Sequence, residues 1–159
     1  MNVAPRRLVA LTIISLVVAA TALGVAGWAL YRLDYARAHY SSEQTADAEA
    51  KACDAVDVVR RGVSLNTNLM PAGGPADITG AQAVAANARV SLYDGGLYLM
   101  ARLDPATPEP LAAKVREFAD ILLDIGANAT AGTTNDDPSQ AERLKAADST
   151  SAALTELCK

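Results

Sequence analysis

Leu8 to Tyr31 reads LVALTIISLVVAATALGVAGWALY, with no charged residue in it. A helix of about 24 residues rises ~36 Å, enough to cross a hydrocarbon core of ~30 Å. A surface helix of a water-soluble domain carries a polar stripe, and this segment has none. It therefore predicts a transmembrane helix. The competing reading is a cleaved signal peptide, for which Ala20, Ala22, Gly24 and Ala26 supply the small residues of a cleavage site. A signal peptide's apolar run spans only about 7 to 15 residues. The run here is longer, so an uncleaved anchor is expected.

Working outward, Arg6 and Arg7 precede the segment, and Arg32 and Arg37 follow it. Trp28, Tyr31 and Tyr35 cluster at its C-terminal end, where aromatic rings with one polar edge favour the membrane–water boundary. Arg32 can extend its head group to the same boundary. Ala20, Gly24 and Trp28 share one helix face, with Gly27 beside it. Small residues at that spacing let a second helix approach closely, so Ala20, Gly24 and Gly27 mark an expected helix–helix contact.

The 159-residue chain leaves room for one modest domain beyond the membrane segment. Its composition is 51% hydrophobic but only 4% aromatic. Alanine supplies about a fifth of it, well above ordinary usage. Small side chains with high helix propensity suit closely packed helices better than a β-sandwich or a ring-lined pocket. The net charge is -4, with the acidic excess after the membrane segment. Nucleic-acid binding needs clustered Lys and Arg, so it is set aside.

Four helical segments are expected in residues 42–159. Ser41 or Ser42 can cap the first, which runs to about Asn68 with Glu43 in its first turn. Its apolar stripe reads Ala46, Ala50, Cys53, Val56, Val59 and Val63. Nothing between Tyr31 and Ser41 forbids continuity with the membrane helix. The breaker Met70–Asp77 (MPAGGPAD) follows, and Asp77 can cap a second helix that runs to about Leu103. Its stripe is Ala81, Val84, Ala88, Leu92, Leu99 and Leu103. Gly95 and Gly96 interrupt it at ~1 kcal/mol each relative to Ala. They predict a kink, a close backbone approach or, least of all, a ligand. Thr107, Pro108 and Glu109 form the next helix start, with Thr107 as the capping residue. Leu111, Val115, Phe118, Leu122, Ile125 and Ala129 then alternate by four and three, a bundle-type seam ended by Gly132. Asp137-Pro138 starts the last helix, with Ala141, Leu144, Ser151, Leu154 and Cys158 on one side.

The fold expected is all-α: a transmembrane helix and an extracytoplasmic up-down four-helix bundle. The domain plan is a cytoplasmic N-terminus at 1–7, the membrane helix at 8–31, a membrane-proximal stalk at 32–41 and the bundle at 42–159. In that topology Cys53 and Cys158 fall towards the same, membrane-proximal end, and a disulfide between them is expected. A disulfide needs an oxidising compartment. Together with the acidic domain, it favours the N-terminus inside and the bundle outside the plasma membrane.

Reactive chemistry has little to rest on. The lone His39 with an oxidised cysteine pair makes no zinc site. Gly73-Gly74 lacks the Lys and Ser/Thr of a phosphate loop. Asp120 and Asp124, and Asp57 with Arg61, read as a solvated face rather than acid–base machinery. Neither catalysis nor a cofactor or metal is expected.

The segments AVAANAR (Ala83–Arg89), LYLMARLDPATP (Leu97–Pro108) and the terminal LCK (Leu157–Lys159), behind an N-terminal anchor, resemble the small alanine-rich single-pass membrane proteins of mycobacteria and related actinobacteria. That group has no catalytic motif to transfer. The resemblance implies an accessory or scaffold subunit of a cell-envelope complex, such as an Mce-type lipid importer. Its expected partners are the lipid bilayer and integral membrane proteins. The alternative is an extracytoplasmic sensory or ligand-binding domain that holds a small apolar molecule between helices near Gly95 and Gly96.

Overall fold

The computed structural model describes the backbone of residues 4–37 and 40–159, and the side chains of residues 11–32 and 40–159. Its described residues form five helices and no strand. These are α1 (Ala4–Arg37), α2 (Ser42–Thr67), α3 (Ile78–Arg102), α4 (Glu109–Thr130) and α5 (Pro138–Leu157). Two compact units divide the chain, Met1–Tyr40 and Ser41–Lys159.

In the first unit, α1 contains the 22-residue segment Leu11–Arg32, long and apolar enough to cross a membrane. Its hydroxyls bond within the helix. Ser15 Oγ donates to the Thr12 carbonyl at 3.0 Å, and Thr21 Oγ1 donates to the Val17 and Val18 carbonyls at 3.0 and 2.9 Å. Paired in this way, a hydroxyl can sit in hydrocarbon without an unsatisfied polar group.

The second unit opens with a capping box. Ser41 Oγ accepts from the Gln44 amide at 3.2 Å, and Gln44 Oε1 accepts from the Ser41 amide at 2.9 Å. Reciprocal capping of two orphan donors makes α2 a helix that starts afresh at Ser42. Asp77 caps α3 through Oδ1, which accepts from the Gly80 amide at 2.8 Å. Asp137 caps α5, accepting from the Ser139 and Gln140 amides. The start of α4 differs from the expectation. Pro108 occupies the cap position without a side-chain hydrogen bond, placing Pro110 within the first turn. The Thr107 hydroxyl instead accepts the Asp104 amide at 3.2 Å and is buried in the turn. Gly132, at φ 98°, ends α4. The Gly132 amide bonds the Ala129 carbonyl and the Thr133 amide bonds the Asn128 carbonyl, a Schellman closure.

The core collects Ala52, Ala55, Val56 and Val59 of α2, Leu92 and Leu99 of α3, Leu154 of α5, and a broad face of α4. The α4 seam lies where its spacing places it: Leu111, Val115, Phe118, Leu122 and Ile125 are all buried. The α2 stripe is rotated from the expected one at its start. Ala48, Ala52 and Ala55 are buried while Ala46 and Ala50 are exposed. With alanine on both faces, three- and four-residue steps fit more than one stripe there, and only the valines fix the direction. On α5, Ala141 is exposed and Gln140 takes the buried position, donating to the Ile125 carbonyl at 3.1 Å.

Gly95 and Gly96 resolve as points of close approach. A Cβ on Gly95 would stand 2.9 Å from Val59 Cγ1 of α2. One on Gly96 would stand 2.8 Å from the Ala119 carbonyl oxygen and 2.7 Å from Leu123 Cγ of α4. The paired glycines thus let α3 sit tightly against both neighbours.

Candidate binding cleft

Cys53 and Cys158 lie at bonding distance, with S–S 1.95 Å and Cα–Cα 5.6 Å. Both are half-buried against the core. Seven residues further along α2 and seven back along α5, Arg60 Nε donates to Ser151 Oγ at 2.9 Å. These two ties hold α2 to α5. Beyond the second, all four helices of the unit line a cleft of about 800 Å³.

Its walls are assembled from small and apolar side chains: Val63 of α2, Val84, Ala88 and Leu92 of α3, Phe118, Leu122, Ile125 and Ala129 of α4, and Leu144 and Ala147 of α5. Thr67, Asn68, Thr133 and Asn135 add hydroxyls and amides where the helices end. The first half of the α3 stripe, Ala81 to Leu92, lines this cleft, which is why Ala81 stays exposed and Val84 and Ala88 only half-covered, while Leu99 enters the core. The size falls within the ~300–1,000 Å³ typical of small-molecule sites, and an apolar lining with a few polar groups is their usual chemistry.

Two guanidiniums sit in the lining, both half-buried: Arg60, and Arg89, whose Nε donates to the Ala129 carbonyl at 3.2 Å. Neither has a carboxylate within ion-pair distance among the described residues. Asp148 contributes the one acidic side chain of the lining. Sequence reading passed over both arginines. The available signal was adjacency, since each directly follows a stripe residue, Val59 or Ala88.

Two carboxylates outside the cleft depart from their ordinary range. Glu117 is held below its usual range, chiefly by the Lys114 ammonium that donates to it at 2.6 Å, with help from the Thr150 hydroxyl. Asp137 is lowered by the Ser139 hydroxyl and by the amides it caps. Asp57, Asp120 and Asp124 are exposed. No group of three or more potential metal ligands occurs among the described residues.

The residues singled out in and beside the apolar segment belong to the first unit. Trp28 and Tyr31 are exposed, and the Arg32 guanidinium lies 5.0 Å from the Trp28 ring centre, a cation–π distance. Ala20 is exposed, and Gly24 and Gly27 have open space where a Cβ would project. The Tyr35 side chain and His39 lie outside the described residues.

The class defined by these features is a helical chain with one candidate membrane span and a disulfide-closed helical unit that is open at one end. Compared with family models, curated proteins and solved structures, the chain matches none.

Proposed function

We propose that this chain is a non-catalytic, membrane-anchored subunit of a larger envelope assembly. In this reading α1 is an uncleaved anchor with its N-terminus in the cytoplasm. The second unit is an extracytoplasmic up-and-down four-helix bundle. Opposite chain directions support that topology: α2 with α5 from Cys53–Cys158 to Arg60–Ser151, α3 with α4 from Gly96–Ala119 to Arg89–Ala129, and α4 with α5 from Glu117–Thr150 to Ile125–Gln140.

The observation that carries the assembly role is the outer face of α3. Val90, Tyr93, Leu97 and Met100 are spaced by three, four and three residues, and each is 43–56% exposed. This face lies away from the Leu92–Leu99 face that enters the core. A helix apolar on both sides is ordinarily covered on both sides. The three–four spacing is that of a helix-packing seam, so the fitting occupant is an apolar helix of a neighbouring subunit. Lipid importers are one setting in which such an accessory subunit would serve. Photocrosslinking from position 97 in native membranes should capture a discrete partner, and Val90→Lys in the same chain should abolish the adduct without lowering the melting temperature. A chain that stays monomeric and uncrosslinked in mild detergent would overturn the reading.

A second reading is favoured by the cleft. The extracytoplasmic unit holds a small apolar molecule there, at the open end of the bundle rather than beside Gly95 and Gly96, which are filled by neighbouring helices.

A further inference from the structure

We infer that the open end of the second unit is a self-association surface, on which the α2–α3 hairpin tip of each copy covers the cleft mouth of a second copy. This contact uses none of Val90, Tyr93, Leu97 and Met100, so it stands or falls apart from the assembly role argued from that face.

The hairpin is set apart by its lack of charge. Between residues 62 and 88 the one ionisable side chain is Asp77, in a chain of which 20% is charged. Asp77 is engaged within the hairpin, where Oδ1 accepts from the Gly80 amide at 2.8 Å and Oδ2 from the Gly73 amide at 3.2 Å. The loop closes on itself as the Gly74 amide bonds the Pro71 carbonyl and the Asp77 amide bonds the Gly74 carbonyl. Its large side chains face outward all the same. Leu69, Met70 and Ile78 are 39, 78 and 74% exposed. An uncharged apolar projection of this kind marks a contact surface.

Shape and charge select a second copy as the occupant. Asn68 and Pro71, which flank Leu69 and Met70 in the chain, line the cleft together with Ala81, Val84 and Ala85. The tip therefore stands at the edge of the mouth, an apolar protrusion beside an apolar hollow. A two-fold axis between two copies brings each protrusion to the other's hollow, the self-complementary arrangement of an isologous dimer. The unbranched side chain of Met70 adapts to an irregular apolar gap. Two chains of net charge -4 repel one another, and like charges set opposite each other weaken a contact. The hairpin is a stretch where two copies can meet without that repulsion. Thr133, Thr134 and Asn135, which also line the cleft, are neutral as well.

The test uses the full chain in native membranes, as two coexpressed copies with different tags. One copy carries benzoylphenylalanine in place of Ala81, which is exposed on the cleft wall. Irradiation should give an adduct that holds both tags, with fragment mass spectra placing the attachment within residues 65–78 of the other copy. Met70→Asp in that other copy sets a carboxylate against an apolar wall and should cut the adduct by more than about tenfold. Met70→Leu keeps the apolar contact and should preserve the adduct. Because Met70 is exposed in the single chain, Met70→Asp should leave the Cys53–Cys158 bridge and the helical circular dichroism unchanged. A two-tag adduct attached outside the hairpin, or one that Met70→Asp leaves intact, would overturn the contact. Absence of any two-tag adduct would do the same, and a lipid captured at position 81 in its place would favour the second reading above.

Discussion

The two ends of the second unit are built from the same small side chains and behave oppositely. At the disulfide end, alanines and glycines produce closure. Ala52 and Ala55 are buried, and Gly95 and Gly96 admit Val59 and the Ala119 backbone at contact distance. At the other end, Ala81, Ala85, Ala88, Ala129 and Ala147 face inward and leave a cleft. The difference lies in the ties. One end has a covalent link, paired glycines and large buried leucines. The other has no covalent link, only the Arg89–Ala129 and Gln140–Ile125 hydrogen bonds between helices. Small residues shorten the distance between helices only where something holds those helices together.

Breaking the covalent tie should have the largest effect. The disulfide spans a sequence separation of 105 residues. Loop-closure arguments give ~4.7 kcal/mol for a loop of roughly a hundred residues, and removing a native bridge costs about 2–5 kcal/mol. Cys53→Ser with Cys158→Ser should therefore lower the denaturation midpoint by several kcal/mol equivalents. Hydrogen exchange should show α5 losing protection first, because its other main support is α4 alone. An unchanged midpoint would mean that the bridge merely decorates an already closed end.

Next comes a pair of truncations that reads the comparison directly. Leu99 is fully buried at the closed end, and Leu144 is half-buried on the cleft wall. Leu99→Ala should cost about 3 kcal/mol through lost burial and a cavity that cannot collapse. Leu144→Ala should cost under about 1 kcal/mol, since its neighbours already border open space. Equal costs in urea titrations of the two variants would show that the cleft is closed in solution. Gly96→Ala should follow at roughly 1–2 kcal/mol, because a methyl group there meets a carbonyl oxygen that cannot move without shifting α4.

How much of this was readable in the sequence follows from the same contrast. The long apolar helix α1, the helix starts at Ser41, Asp77 and Asp137, and the α4 seam rest on strong local signals: an unbroken apolar run, capping side chains, and large residues on a single face. The cysteine pair was readable because both residues sit near matching ends of their helices. The α2 register was not, because alanine marks neither face. The cap expected at Thr107 does not form, because Pro108 and Pro110 set the backbone there and leave the hydroxyl to the preceding turn. The cleft itself was invisible for a physical reason. A stripe such as Val84, Ala88 and Leu92 shows which way a helix faces, but whether the space opposite is filled depends on how far apart α2 and α5 stand. Arg60 and Arg89 read as ordinary flanking charges until the walls around them are known.

Filling the open end should produce the opposite sign. Ala88 lies on the cleft wall and is half-buried. Ala88→Leu places apolar volume where the helices leave space and should stabilise the unit by about 1 kcal/mol while excluding any cleft ligand. A destabilisation instead would mean that the walls meet in solution and the added carbons are overpacked.

The smallest effect concerns the start of α5, which forms one edge of the open end. Asp137 has its pKa lowered because its ionised form accepts the Ser139 hydroxyl and the Ser139 and Gln140 amides. The unfolded chain would bind the proton more readily than the folded one. The cap's contribution is therefore fully present above the ordinary carboxylate range, and it is lost as pH falls through the lowered folded-state value. Amide exchange at Ser139 and Gln140 should accelerate relative to the middle of α5 on acidification, after correction for the intrinsic pH dependence of exchange. Asp137→Asn keeps an acceptor without a titrating proton and should remove the pH dependence while preserving most of the protection. If the first turn of α5 instead stays protected through that range in the parent chain, the open end is held by Gln140 and its bond to the Ile125 carbonyl, and the cap contributes little to it.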